Sequence, residues 1–285
     1  MEIVHIPFNS VRLRRKNFNS SNHWINGKPI DYHDRLEQTF TSQWIDEFHT
    51  QYYSFPIREI DIKWMREAHL IGRVSRSFPI EFKNELGESL PHYRDADEYL
   101  SNGKYFVRCE NVSLKHGING IGPYTSMKDI FESLVTAIPS HTPISENTLS
   151  VRVYLIPWKE INKDYEFRVF VHNNLITGIS QQDCYIPSGF KESEIQLIID
   201  TLMNYHREVV LQKIKLTEYS YDVVILGVSD TFHPFLDGDL DVQAYFIETN
   251  PFGKEYSSGS ALFHWLKDEK ILYGTDKAQF RYVKR

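Results

Sequence analysis

The chain has 285 residues, 41% hydrophobic and 25% charged, which is enough to bury a proper core and excludes a disordered, collagenous or disulfide-scaffold protein. Its formal net charge of -6, from 32 basic against 38 acidic residues, supplies no global positive field, so neither nucleic acid nor an anionic membrane is an expected partner. Cys109 and Cys184 form no CxxC pair, the opening MEIVHIPFNSVRLRR lacks a signal-peptide run, and no stretch approaches the roughly 20 apolar residues of a membrane span, so a cytoplasmic protein without zinc clusters is expected.

The aromatic fraction of 14% promises a large core for the length. In the first hundred residues, His33 to His49 has helix-like spacing (Leu36, Phe40, Trp44, Phe48), and Ile60 to Ile71 reads similarly. A short acidic helix from Asp95 to Leu100 stops at Asn102 and Gly103. Tyr105 to Cys109 is a strand and Lys115 to Pro123 a glycine-rich loop. Thr125 or Ser126 then caps a helix with Phe131, Leu134, Val135 and Ile138 on its apolar stripe. Val151 to Ile156 is a strand ending at Pro157. Glu166 to Val171 and Leu175 to Ser180 read as a hairpin turning at Asn173-Asn174. Lys191 to Ile214 is a long amphipathic helix with His206 on its apolar face. Tyr221 to Gly227 and Val242 to Glu248 are two further strands around a polar loop. Strands interleaved with hairpins and helices give an α+β fold, antiparallel sheet with helices packed on it. The pattern sharpens after residue 104, which suggests an N-terminal lobe over 1–104 and a second region over 105–285.

Three clusters could carry chemistry. Asp222 begins one strand, and Glu248 and Asn250 end the next. Antiparallel pairing would bring 222 near 248, and alternation would put 248 and 250 on one face. Two carboxylates and an amide oxygen form a hard oxygen site suited to magnesium with phosphate oxygens and water. The plain alternative is two acids flanking strands in solvent. Arg108 and Lys115, with the glycines at 117, 120 and 122, resemble a phosphate-cradling loop, although the pattern is neither a Walker A motif nor a Rossmann GxGxxG and on spacing alone a surface loop is favoured. Ile156, Pro157 and Trp158 end a strand where free backbone groups could read an adenine edge. Glu166 and Arg168 share a face, as an ordinary cross-strand ion pair also would. Asp237, Asp239, Asp241 and Glu248 match four EF-loop positions, but Val242 stands where the sharp turn needs glycine, so this tip reads as a solvated hairpin end. No close histidine pair, nucleophile elbow or partnered cysteine appears.

The ordered set FVRCENVSLKHG, YLIPWKEINKDYEFRVFVHNNLITGISQQD, YDVV and FIETNPFGKEYSSGSALFHW resembles the cell division cycle protein 123 family over about residues 105–183 and 221–266. That resemblance implies an ATP-grasp-like fold, two lobes of antiparallel sheet and packed helices enclosing a nucleotide cleft. It also implies ATP and Mg2+ as cofactors. Carried over residue by residue, Arg108 is the phosphate-contacting cation of the early strand, where most eukaryotic members have Lys, and Glu110 falls where they have Asn. Lys115 matches a lysine of the following stretch. Ile156, Pro157 and Trp158 match the adenine-side hinge, and Glu166 and Arg168 match the pair that contacts ribose and phosphate. Asp222, Glu248 and Asn250 match the magnesium ligands, with Glu248 replacing a more usual Asp. Gln182 stands where the family reads Arg, so a phosphate-facing guanidinium is lost and only a neutral donor remains.

Eukaryotic members are assembly chaperones for translation initiation factor 2 and bind its gamma subunit. The resemblance therefore implies a nucleotide-binding, chaperone-like module with a protein client. The alternative is an ATP-grasp enzyme, a ligase or a phosphoryl or nucleotidyl transferase of unknown acceptor, which would use the same magnesium and phosphate cations.

Overall fold

A computed structural model describes residues 1–24, 27–226, 243–256 and 259–284. Residues 1–44 contribute β1 (Glu2–Pro7) and the short helices α1 (Phe8–Leu13) and α2 (Tyr32–Glu37). Then follow α3 (Ile45–Phe48), β2 (Tyr53–Ile57), α4 (Glu59–Ser75), α5 (Lys83–Ser89), α6 (Arg94–Ser101), β3 (Tyr105–Arg108), α7 (Met127–Thr136) and β4 (Val151–Pro157). The rest comprises β5 (Glu166–His172), β6 (Leu175–Gln181), α8 (Ile195–Tyr205), β7 (Tyr219–Leu226), β8 (Gln243–Pro251) and β9 (Gln279–Lys284).

These elements form two compact units, one of Ile45–Glu160 and one of Met1–Trp44 with Ile161–Arg285. The division differs from a break after residue 104. The reason is hydrogen bonding: β2, β4 and β3 lie in that order in one antiparallel sheet, so strands on both sides of residue 104 belong together.

In the unit Ile45–Glu160, one face of that sheet (Phe55, Ile57, Val107, Val151, Val153, Leu155) joins Ile62, Met65 and Ala68 of α4 and Ile130, Phe131 and Leu134 of α7 in one core. The two helices approach closely at Gly72, where a Cβ would come within 2.8 Å of Val135. Ser126 caps α7 by accepting from the Asp129 N–H, and α6 ends at Asn102, as the sequence suggests.

The other unit is built on a six-stranded sheet in the order β1-β9-β6-β5-β7-β8. The β5–β6 turn has left-handed Asn173 (φ 51°) and Asn174 (φ 64°), the conformation a two-residue hairpin with the right twist needs. One face carries Phe167, Phe280 and Tyr221. Phe190 packs on the first two rings and His206 stacks on the third. His206 lies in a π-turn (His206–Val210) that continues α8, so the long helix read from the sequence is present with one wide turn. On the opposite face Phe170, Phe252, Phe263, Trp265 and Leu272 cover one half, and Gly178 leaves room for the Phe263 ring, which a Cβ would meet at 2.9 Å.

The helix expected over His33 to His49 is instead α2, a 3-10 turn (Thr41–Gln43) and α3. The Thr39 hydroxyl bonds back to the Leu36 carbonyl, and the Trp44 indole donates to the Thr39 carbonyl, so local side-chain bonds displace the helical ladder. The Asp237, Asp239 and Asp241 cluster lies outside the described residues.

Candidate functional site

The other half of the second face in the larger unit is polar, and strand register assembles it. Arg281 stands opposite Ser180, Ser180 opposite Arg168, Arg168 opposite Asp222 and Asp222 opposite Glu248, one rung across β9, β6, β5, β7 and β8. Cross-strand partners share a face, and alternation adds Glu166, two residues from Arg168, and Asn250, two from Glu248. The expected pairing of Asp222 with Glu248 is thus present. The β7–β8 register shifts immediately after Asp222, a bulge of the kind that re-aims side chains beside functional sites.

Asp222 is held by a fork. Arg168 Nε and Nη2 donate to its Oδ1 and Oδ2 at 2.8 and 2.7 Å, Gln182 Nε2 donates to Oδ2 at 3.0 Å, and Arg168 Nη1 reaches the Gly259 carbonyl at 2.9 Å. Asp222 is 2% exposed and Arg168 7%. Burial works against the Arg168 charge, but Asp222 and, more weakly, Glu248 and Glu166 outweigh it and hold the guanidinium above its ordinary pKa. Asp222, Glu248 and Glu166 thus all act on the Arg168 guanidinium.

Sequence reasoning missed three contributors. The Ser180 hydroxyl accepts from Leu262 N–H, Arg281 donates to the Leu262 carbonyl and forks onto Asp268, and the Gly259 carbonyl anchors Arg168. Together they clamp the turn after β8 against the rung. A strand alignment of GISQ with EFR would have found Ser180, but β9 gave no sequence signal and hid Arg281.

In the unit Ile45–Glu160, Arg108 pairs with Tyr154 and Phe106 with Ile156, so Arg108 and Ile156 occupy the sheet face opposite the core, whereas Pro157 pairs with Tyr105 on the core side. Arg108 is buried. Glu110 accepts the Tyr154 hydroxyl at 2.6 Å. The His49 imidazole is pushed down to about 4 by burial and then by the charges of Arg108 and Lys159. Two expectations change here. The strand end offers no N–H to an adenine at two positions, because Pro157 has none and Trp158 N–H is donated to the Lys104 carbonyl at 2.8 Å. The glycine-rich loop is docked on α7 rather than open: Ile118 N–H bonds Thr136 Oγ1, Asn119 Nδ2 bonds the Asp129 carbonyl, and a Cβ at Gly117 would fall 2.5 Å from Ser133. Lys115 is exposed on the turn Leu114–His116 at the start of that loop.

Oxygen donors from Asp222, Glu248 and Asn250 are the donor set a hard divalent cation takes, and by that chemistry the residues present fit magnesium. Among the described residues no group of three His, Cys, Asp or Glu side chains is gathered as a metal cluster; the set here has two carboxylates and an amide. No helix among the described residues is long and apolar enough to cross a membrane.

The family model for D123 matches residues 126–285, more than half of the chain. A protein of Candida albicans named translation initiation factor eIF2 assembly protein is 31% identical over 169 residues, 56% of this chain and 42% of the relative. Its namesake in Dictyostelium discoideum is 27% identical over 114 residues, 40% of this chain and 25% of the relative. The chain thus spans less than half the length of these relatives. The solved structure of Cdc123 from Schizosaccharomyces pombe superposes with a TM-score of 0.59 at 15% identity, covering 88% of this chain and 97% of that one, and shows the shared fold. With the family model over all five strands of the rung and the fold of Cdc123 around them, the chain belongs to the D123 family.

Proposed function

We propose that this chain binds ATP with magnesium and works as an assembly module for a protein client, a translation initiation factor subunit by analogy with the names of its relatives. The observation that carries the nucleotide half is the rung itself: Asp222, Glu248 and Glu166 act on the Arg168 guanidinium, with Asn250 on the same face. In this reading Asp222, Glu248 and Asn250 hold the cation, and Glu166, Arg168 and Gln182 lie on the ribose and phosphate side. Arg108, Glu110, Lys115, Ile156, Pro157 and Trp158 carry the base and phosphate roles that the family resemblance assigns. Magnesium, when bound, neutralises polyphosphate charge. The surrounding residues orient it, and the turn clamped by Ser180 and Arg281 fixes the Gly259 carbonyl against Arg168.

Calorimetry with ATP and magnesium tests this on the wild type and on Glu248→Ala. The variant should bind at least about tenfold more weakly, a loss of about 1.4 kcal/mol for removing one metal-holding carboxylate. Equal binding would sink the metal assignment. A stoichiometric complex with an initiation factor 2 gamma subunit, without nucleotide turnover, supports the assembly role. Steady release of ADP, AMP or pyrophosphate with an acceptor would replace it by the ligase or transferase reading.

A further inference from the structure

The helix α4 has two apolar stripes where a surface helix needs one. Ile62, Met65, Ala68 and Gly72 lie on its buried face. On the opposite side Ile60 and Val74 are 67% and 78% exposed, and Leu70 and Ile71 are about half exposed. Lys63 and Glu67, both exposed, stand between them. Positions 60, 63, 67, 70 and 74 are spaced three and four residues apart in alternation, the spacing of a seam along which one helix meets another. Single exposed apolar residues are ordinary, but four on one outward stripe mark a contact surface.

The two charges in the stripe select the occupant. A second copy of the helix laid parallel would set Lys63 against the partner's Lys63 and Glu67 against the partner's Glu67, a repulsive arrangement. An antiparallel copy centred at Met65 is complementary at every layer. Ile60 meets the partner's Leu70, Lys63 meets the partner's Glu67, and the two-fold axis repeats both contacts. Sliding that copy by one heptad would bury Lys63 against the partner's Val74 and Glu67 against the partner's Leu70, leaving both charges without a counter-charge. The lysine and glutamate therefore fix one orientation and one register, as polar groups inside a helical seam do at some cost in affinity.

We propose that the outward stripe of α4 is a self-association surface, on which two copies of this chain pack antiparallel about Met65 with Lys63 of each against the partner's Glu67. The inference is independent of the nucleotide reading. One pair of helix faces buries less than the roughly 1,200 Å² of a stable interface, so the dimer is weak, with a dissociation constant in the micromolar range or above, and it falls apart on dilution.

The test is analytical ultracentrifugation of the full chain, without nucleotide, from about 5 to about 500 μM, a range over which mass action should carry wild type from monomer toward dimer. Lys63→Glu and Glu67→Lys each set like charges across the seam and should weaken the dimer at least about tenfold. The double variant Lys63→Glu/Glu67→Lys exchanges the two signs and should return to within about threefold of wild type, because its losses are not additive. Leu70→Glu should leave a monomer throughout. All three positions are exposed, so each variant should keep the circular dichroism spectrum of the dilute wild type. Wild type that stays monomeric at about 500 μM overturns the proposal, whatever other protein then covers the stripe. A dimer that survives Leu70→Glu overturns it as well. A dimer that Leu70→Glu abolishes but the double variant does not restore overturns the antiparallel register, and with it the proposal.

Discussion

Each unit contains one buried aspartate gripped by an arginine fork, and the two differ in what surrounds them. Asp61 accepts from Arg58 Nε and Nη2 at 2.7 and 2.8 Å, from the Ser89 hydroxyl at 2.6 Å and from the Tyr93 hydroxyl at 2.6 Å. Its acceptor sites are full, and its donors are tied in turn: Ser89 accepts the Trp64 indole N–H and Tyr93 accepts the Arg58 backbone N–H. Asp222 has the same fork, with Gln182 as a further donor, and Glu248 and Glu166 act on the same guanidinium. One fork is neutral and saturated, which describes a staple joining the start of α4 to the end of α5 and the turn before α6. The other stands among further carboxylates on a rung that crosses five strands. Charged groups that perturb one another, rather than burial alone, mark the rung as the candidate site.

The largest expected effect tests the staple. Asp61→Ala leaves a guanidinium and two buried hydroxyls without their acceptor and should cost about 3–5 kcal/mol, read as a lower urea midpoint at unchanged slope. ATP affinity should not move. Burial pushes the Asp61 carboxyl up, but the bonds from Arg58, Ser89 and Tyr93 outweigh it and hold it below its ordinary value. The stabilisation is therefore present above about pH 4 and lost as the pH falls through the lower folded value, so Asp61→Asn should flatten the acid limb of the stability curve. A loss under about 1 kcal/mol would erase the contrast between the two forks.

The next effect concerns the face that carries Arg108. His49 is buried with a pKa of about 4 against an ordinary 6.5, so below pH 6.5 the unfolded chain takes up a proton that the folded chain refuses. Stability should fall as the pH drops from 6.5 toward 4, by on the order of 3 kcal/mol from this group. His49→Gln should remove that part of the loss, which urea midpoints at pH 7 and pH 5 would show. An unchanged pH dependence would mean that His49 is not held neutral beside Arg108 and Lys159.

What was legible in the sequence follows from how local each signal is. The Asn173-Asn174 hairpin and the cap at Ser126 are written within a few residues, and both stand. The Asp222–Glu248 pairing needed only adjacent strands and alternation, and the register supplies it. β9 was invisible because it joins the sheet in parallel beside β6 and β1, a pairing no hairpin announces. The glycine-rich loop looked like an anion cradle because glycine shows where backbone comes close, not to what; at Gly117 the neighbour is Ser133 of α7. Trp158 was read as a free strand end because its acceptor, the Lys104 carbonyl, lies more than fifty residues earlier in the chain.

The smallest effect isolates Gln182, where the family resemblance expected a phosphate-facing arginine. Its amide donates to Asp222 Oδ2, so here it steadies the carboxylate and adds no charge. Gln182→Ala removes one partly buried neutral donor to a charged acceptor that Arg168 still holds, and should cost about 1 kcal/mol. In an Asp222→Asn background the same substitution should cost less, because the acceptor it serves has lost its charge. The double-mutant cycle then reports a coupling of roughly 0.5–1 kcal/mol. Additive losses would place the effect of Gln182 elsewhere, in its backbone pairing with Glu166.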